Sequence, residues 1–132
     1  AFNYCYSLAS VVIPNSVTSI GTYAFYYCYS LASVVIPNSV TSIGHNAFNS
    51  CYSLASVVIP NSVTNIGNNA FYYCSGVAFF DFTSHTAIPT LSSTNAFSGI
   101  ASDCEIRVPA DLADEWKAAA NWSTYAGKIV GY

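Results

Sequence analysis

A repeat of 23 residues is the feature that most constrains how this chain can fold. The segment LASVVIPNSVTSIGTYAFYYCYS at 8–30 recurs at 31–53 and again at 54–76 with few changes. Periods of ~20–50 residues are typical of solenoids, because one such unit cannot bury its own apolar side and has to stack on its neighbours. The sequence therefore predicts a stack of coils in which equivalent side chains form ladders through the core.

Within each repeat, the pattern predicts one β-strand and one short helical turn. The SVVI run at 10–13 alternates as a strand does, and Pro14 ends it because proline has no backbone N–H to donate. A second short strand or turn carries the valine and isoleucine of SVTSI. Ala24, Phe25 and Cys28 then lie on one side of a single helical turn. We expect an α/β architecture with one parallel sheet.

The pattern loosens after residue 76 and ends in a cap. The residues predicted to continue the core columns are Val77, Phe80, Phe82, Phe97 and Ile100. The segment 111–122 is amphipathic and predicts a capping helix with Trp116 on its apolar face. We divide the chain into repeats at 1–110, irregular from 77, and a C-terminal cap at 111–132. Because the sequence starts in the middle of a repeat, we expect the natural protein to continue upstream.

The repeated motif IPNSVTSIG-x-x-AF-x-x-C-x-S-L closely resembles the BspA-like, or treponemal-type, leucine-rich repeats. The resemblance covers nearly all of 1–109, and the tail from Ile106 is similar to the terminal repeat and cap of bacterial members. It implies a right-handed leucine-rich-repeat solenoid, a cell-surface or secreted location, and adhesion or binding of host proteins. It supplies no catalytic residues. This chain departs from the family in having tyrosine, histidine and asparagine where acidic residues or lysine often stand.

Composition excludes several functions. Only 7% of the residues are charged, and the first 80 contain no Asp, Glu, Lys or Arg. The formal net charge of −3 argues against nucleic-acid binding, which requires clustered Lys and Arg. No apolar run approaches the ~18 residues of a membrane-spanning helix, so we expect no membrane insertion.

The cysteines are predicted to be structural. Cys5, Cys28, Cys51 and Cys74 recur once per repeat, unlike the paired spacing of metal ligands. We expect them to form a ladder of buried thiols, and we expect no metal and no cofactor. Cys104 falls in an outward column and is predicted to be the exposed thiol.

The other polar candidates also have structural interpretations. His45 occupies a column shared with threonine and asparagine, which indicates a solvent-exposed position. His85 lies in the irregular segment near serines, without the surroundings of a hydrolytic nucleophile. Asp81 and Arg107 are predicted to form a cross-strand ion pair.

The tyrosines carry the binding prediction. Tyr6, Tyr29 and Tyr52 form one column, and Tyr27 and Tyr73 belong to a second that Ser50 interrupts. Tyrosine combines a large apolar ring with a polar tip, as recognition surfaces require. The alternative is that these rings cover the core in place of charged side chains.

Three functions of different classes remain open on the sequence. The first is a non-catalytic adhesion or binding module, extracellular or at the cell surface, for a protein or glycan partner, including a polymeric one. The second is a structural spacer in a larger surface protein, and the third is an enzyme. The uncapped N-terminal edge at 9–13 also predicts dimerisation.

Overall fold

The computed structural model describes residues 2–132, which wind into stacked coils whose strands pair in parallel. Its strands are β1 (Ser10–Val12), β2 (Ser19–Ile20), β3 (Ser33–Val35), β4 (Ser42–Ile43), β5 (Ser56–Val58), β6 (Asn65–Ile66), β7 (Phe79–Asp81), β8 (Thr90–Leu91), β9 (Glu105–Val108) and β10 (Ile129–Gly131). Its helical elements are the 3₁₀ segments Ala110–Leu112 and Trp122–Lys128 and the helix α1 (Ala113–Ala118).

Each repeat contributes strands to two rows of parallel sheet. The first row contains the sheets β1–β3 and β5–β7–β9–β10, and the second row is the sheet β2–β4–β6–β8. The register advances by one repeat at each step, as when Ser10 pairs with Ser33. The solenoid and its parallel pairing confirm the prediction. The sheet number differs from the predicted one, because the SVTSI segment forms a second row of its own.

The segment after Gly21 forms tight turns and not the predicted helical turn. Within the coil, the Cys28 N–H donates to the Phe25 carbonyl at 3.2 Å. Between coils, the Phe25 N–H donates to the Ala47 carbonyl at 2.7 Å. Alternate residues bond within and between coils, so the backbone is satisfied without a helix. The prediction was wrong about the backbone but right that Phe25 and Cys28 are buried.

Phenylalanine rings form a ladder through the core. The centroids of Phe25, Phe48, Phe71 and Phe97 are separated by 5.1, 5.4 and 5.4 Å, with neighbouring planes within 10°. The turns of adjacent coils bond to each other in register, at a spacing close to the ~4.8 Å between parallel strands, so equivalent rings lie one above the other. Phe97 keeps the column although it follows Phe71 by 26 positions instead of 23. The predicted continuation at Val77, Phe80 and Phe82 is also buried.

The C-terminal segment closes the last coil with less helix than predicted. The helix α1 covers half of the predicted 111–122, because Ala119 is extended and Asn121 has a φ of 66°. Trp116 is buried as expected and meets the ring of Trp122 edge to face at 5.4 Å. The strand β10 lies in the predicted cap, where no strand was expected; it pairs with β9 and extends the first row of sheet by one strand.

Candidate binding surface

The predicted residues Tyr6, Tyr29 and Tyr52 stack as one column on the turn side of the solenoid. Their ring centroids lie 4.9 Å and 5.1 Å apart, and the planes are inclined by 17° and 12°. Tyr6 and Tyr52 are 49% and 44% exposed, and Tyr29 is half-buried between them. The column therefore presents ring edges and hydroxyl groups to solvent.

Four further tyrosines extend this column into one continuous surface. The ring of Tyr27 lies 5.5 Å from that of Tyr29 and 4.0 Å from that of Tyr26. Tyr4 and Tyr23 contact the rings of Tyr27 and Tyr26, at 5.5 Å and 4.9 Å. Hydrogen bonding with Tyr27, followed by burial, raises the pKa of Tyr26 to about 12. We call this set the tyrosine cluster: Tyr4, Tyr6, Tyr23, Tyr26, Tyr27, Tyr29 and Tyr52.

Tyr73 belongs to a separate pair. Its ring meets that of Tyr72 at 4.3 Å and rests against the backbone of Gly99 in the next coil. Ser50, between the positions of Tyr27 and Tyr73, is buried. The structure thus brings together four of the five predicted binding residues and leaves Tyr73 aside.

Several tyrosines occupy left-handed backbone positions. Tyr4, Tyr23, Tyr27 and Tyr73 have φ between 56° and 61°. Apart from glycine, asparagine and aspartate, residues adopt this region at a cost of roughly 1–2 kcal/mol. The sequence held a signal for this geometry, because the column of Tyr23 contains Asn46 and Asn69 elsewhere. Tyrosine at such positions points to a role for the side chain, since the backbone favours other residues.

The outer face of the first sheet row offers a different surface. Serines at 10, 33 and 56 alternate with valines at 12, 35 and 58, and Val12 is 76% exposed. These short side chains form a smooth face with area but few anchors. Like the tyrosine cluster, this part of the face carries no charge.

Charged groups gather on that sheet face near the C-terminus. The Arg107 guanidinium lies over the rings of Phe79 and Tyr132, 3.9 Å and 4.8 Å from their centroids. The Arg107 Nε donates to Glu105 at 2.9 Å, and the Tyr132 hydroxyl donates to the same carboxylate at 2.6 Å. The Tyr132 hydroxyl and then Arg107 lower the pKa of Glu105.

The predicted ion pair between Asp81 and Arg107 does not form, although the two residues are register partners on adjacent strands. Arg107 instead forms its ion pair with Glu105, which lies two positions away on the same face of β9. Asp81 accepts hydrogen bonds from the Thr83 N–H at 2.8 Å and the Thr83 hydroxyl at 2.6 Å.

The cysteine ladder is more than apolar packing. The Cys51 thiol donates to the Phe25 carbonyl at 3.2 Å, and the Cys74 thiol to the Phe48 carbonyl at 3.1 Å. Burial raises the pKa of Cys51 to about 12. At the first position the prediction was wrong, because Cys5 is half-buried at the open end of the stack.

The prediction that Cys104 is exposed was also wrong. Its side chain is buried, and burial raises its pKa to about 11. Lys128, whose amine donates to the Ala101 and Ser102 carbonyls at 3.0 Å and 3.2 Å, brings the C-terminal segment over this turn. The column assignment could not anticipate this cover, which is remote in sequence.

Both histidines contact backbone groups of another coil. His45 is exposed as predicted, and its Nδ1 accepts from the Asn68 N–H at 2.7 Å. His85 is buried between aromatic rings, where burial lowers its pKa. Within residues 2–132, His, Cys, Asp and Glu side chains form no group of three that could hold a metal ion. None of the helices described there is long and apolar enough to span a membrane.

The stacked coils, their two rows of parallel strands and the recurring turn define a leucine-rich-repeat protein. The sequence profile of the BspA type leucine rich repeat region matches residues 1–114 with 6 copies. The chain belongs to this family. A search of curated proteins finds no match.

Solved structures show the same architecture. A leucine-rich-repeat protein from T. pallidum is 32% identical, with a TM-score of 0.72 over 83% of this chain and 49% of that one. A leucine-rich cell surface protein from Faecalibacterium prausnitzii is 39% identical, with a TM-score of 0.61 over 67% of this chain and 23% of that one. A leucine-rich-repeat protein from Bacteroides ovatus is 28% identical, with a TM-score of 0.53 over 79% and 28%. The chain therefore spans half or less of the length of these proteins.

Proposed function

We propose that this chain is a non-catalytic binding and adhesion module, secreted or held at the cell surface, that presents the tyrosine cluster to an extracellular protein or glycan. The observation that carries the proposal is the continuous aromatic surface, kept in part by tyrosines whose backbone positions favour asparagine or glycine. Membership of the family and similarity to a leucine-rich cell surface protein support the location.

The chemistry of the cluster favours a neutral, extended partner. Tyrosine rings bury a large area at a low cost in side-chain entropy, and such anchors dominate interface energies at ~2 kcal/mol or more each. The cluster lies in a segment without charged residues, so salt bridges to the partner are excluded there. Because the tyrosines repeat from coil to coil, a polymeric ligand would gain avidity from successive weak contacts.

A structural spacer is the second candidate, and one observation favours it. The rings of Tyr6, Tyr29 and Tyr52 turn their faces to each other, so that part of their area is already buried within the chain. In a spacer, the same rings would cover the core where other proteins use the stems of charged residues.

A binding screen against extracellular-matrix proteins and neutral glycans tests the proposal. For a ligand found in this way, Tyr29→Ala and Tyr52→Ala together should weaken binding at least tenfold with little change in melting temperature. Val35→Arg, on the sheet face, is the control and should leave the affinity unchanged. If the double variant melts far lower, the rings are core cover; if Val35→Arg abolishes binding and the tyrosine variants do not, the sheet face is the site.

A further inference from the structure

The oxidisable side chains of this chain are distributed unevenly. The sequence contains no methionine. Trp116 and Trp122 are buried, and so are the four thiols from Cys28 onward. A thiol reacts as its thiolate, which burial disfavours, and Cys5 alone among the cysteines is half-buried. Tyrosine is therefore the oxidisable residue that the surface mainly presents.

The tyrosine column also places phenol rings close enough to couple. Tyr29 has Tyr6 on one side at 4.9 Å and Tyr52 on the other at 5.1 Å. Two rings joined by a carbon–carbon bond have centroids separated by two ring radii and one bond length, slightly less than these distances. The rings have to turn from face to face to edge to edge, and the exposure of Tyr6 and Tyr52 leaves room for that rotation.

We propose that this column is an oxidative cross-linking site, where a haem peroxidase using hydrogen peroxide joins Tyr29 to Tyr6 or to Tyr52. Each phenol loses one electron and one proton, and the two radicals form a bond between ring carbons ortho to the hydroxyls. The ortho hydrogens then move to oxygen and restore both phenols. Overall, two tyrosines and one hydrogen peroxide give one dityrosine and two waters.

The product is a covalent link between adjacent coils. Tyr29 lies 23 positions from each of its two partners, so either bond closes a loop that is open in the unfolded chain. A cross-link of this kind stabilises the folded state by restricting the unfolded one. The cross-link does not depend on the ligand proposed above, because it uses the column within one molecule.

The experiment treats the full chain at low protein concentration with a haem peroxidase and limiting hydrogen peroxide. We expect dityrosine fluorescence, a monomer on a denaturing gel, an intact mass lower by two hydrogens, and a higher melting temperature. Mass spectrometry of a proteolytic digest should place the bond at Tyr29 and not at the pairs Tyr26–Tyr27 and Tyr72–Tyr73, whose ring centroids are closer, at 4.0 Å and 4.3 Å. Tyr29→Phe keeps the stacked ring and should lower the dityrosine yield at least fivefold. Tyr132→Phe, which removes an exposed phenol at the other end of the molecule, should leave the yield unchanged.

Three results would overturn the inference. The first is an equal yield in Tyr29→Phe and in the unmodified chain. The second is an equal intramolecular yield in the chain unfolded by urea, where the column does not exist. The third is that the oxidation products lie on cysteine or tryptophan. Melting curves of both variants before oxidation establish that each is folded.

Discussion

At the scale of the residue, some turn positions hold a tyrosine although their left-handed backbone favours asparagine or glycine. The same left-handed position holds Tyr23 in one coil and Asn46 and Asn69 in the next two. Asparagine tolerates this region because its short side chain bonds locally, whereas tyrosine does not. In return, the ring of Tyr23 gains an edge contact with Tyr26 at 4.9 Å.

This competition predicts the effect of Tyr23→Asn. Relief of the backbone strain is larger than the loss of one exposed aromatic contact, so the free energy of unfolding should rise by about 0.5 kcal/mol. Urea denaturation measures the change. The control is Tyr29→Asn, at a position whose backbone is not left-handed, so no strain is relieved and the free energy of unfolding should not rise. A loss of stability in Tyr23→Asn would contradict the strain argument.

The buried thiols make the fold sensitive to alkali. Burial raises the pKa of Cys51 from about 9 to about 12 and that of Cys104 to about 11. Between pH 9 and the raised pKa of each thiol, the unfolded chain has lost the thiol proton whereas the folded chain retains it. Stability that is fully present below pH 9 is therefore lost as the pH rises towards 12.

We predict that the free energy of unfolding falls steeply above pH 9, and that Cys51→Ala makes the fall shallower. Each such proton contributes up to about 1.4 kcal/mol per pH unit to the slope. Urea denaturation from pH 8 to pH 11 gives both slopes, and the comparison is independent of any uniform loss of stability in the variant. Identical slopes would show that Cys51 ionises at an ordinary pH in the folded state.

At the scale of the element, the C-terminal segment completes hydrogen bonds that the last coil leaves open. The Asn121 amide donates to the Leu91 carbonyl at 2.7 Å, and the Trp122 Nε1 donates to the Pro89 carbonyl at 2.8 Å. The Tyr125 hydroxyl accepts from the Phe97 N–H at 3.1 Å and donates to the Thr94 carbonyl. Side chains thus take the place that a further coil would fill with backbone groups.

Tyr125→Phe is the variant that tests this role. It leaves the Phe97 N–H and the Thr94 carbonyl without their partner, which should cost about 1–3 kcal/mol of unfolding free energy. Tyr132→Phe removes an exposed hydrogen bond to Glu105 that water can replace, and it should change stability by less than about 1 kcal/mol. Thermal and urea denaturation give the two values, and equal effects would argue against the capping role.

The sequence predicts the elements that side-chain periodicity determines. It does not predict those that depend on backbone conformation. Phe25 and Cys28 were assigned to the core because they recur, and the same recurrence suited a helical turn. The observed tight turn requires a left-handed backbone at Tyr27, and a tyrosine in the sequence does not indicate that conformation. Cys104 is buried beside the turn whose Ala101 and Ser102 carbonyls bind Lys128, and no repeat column connects Lys128 to that turn. The spacing of the repeat predicts the column of Tyr6, Tyr29 and Tyr52. It does not predict that Tyr27 joins this column to Tyr26 and Tyr4, because those contacts depend on the geometry of the turn.

At the scale of the whole molecule, the two ends of the stack differ. The C-terminal end is covered, whereas the N-terminal end exposes the edge of β1, which within residues 2–132 pairs with β3 alone. Phe2 is 49% exposed, and Leu8 is half-buried. An open strand edge beside apolar side chains favours pairing with a second copy.

We therefore predict that this chain dimerises through its N-terminal edge at high concentration. Sedimentation should show an apparent mass that rises with concentration. Leu8→Lys, which places a charge beside that edge, should return the chain to a monomer. A chain that stays monomeric at every concentration would contradict the prediction.

The uniform register of the coils has a consequence for inheritance. One threonine of each coil donates its backbone N–H to the carbonyl of the equivalent threonine in the preceding coil. These bonds are Thr41 to Thr18 at 2.8 Å, Thr64 to Thr41 at 2.9 Å and Thr90 to Thr64 at 2.9 Å. Removal of 31–53 would join Ser30 to Leu54 and give each remaining coil a neighbour chemically equivalent to the one it lost. We expect the shortened chain to fold, with the same circular-dichroism signature and a slightly lower melting temperature. Unequal recombination within the repeated DNA could then alter the length of the protein by whole coils without passing through an unfolded product.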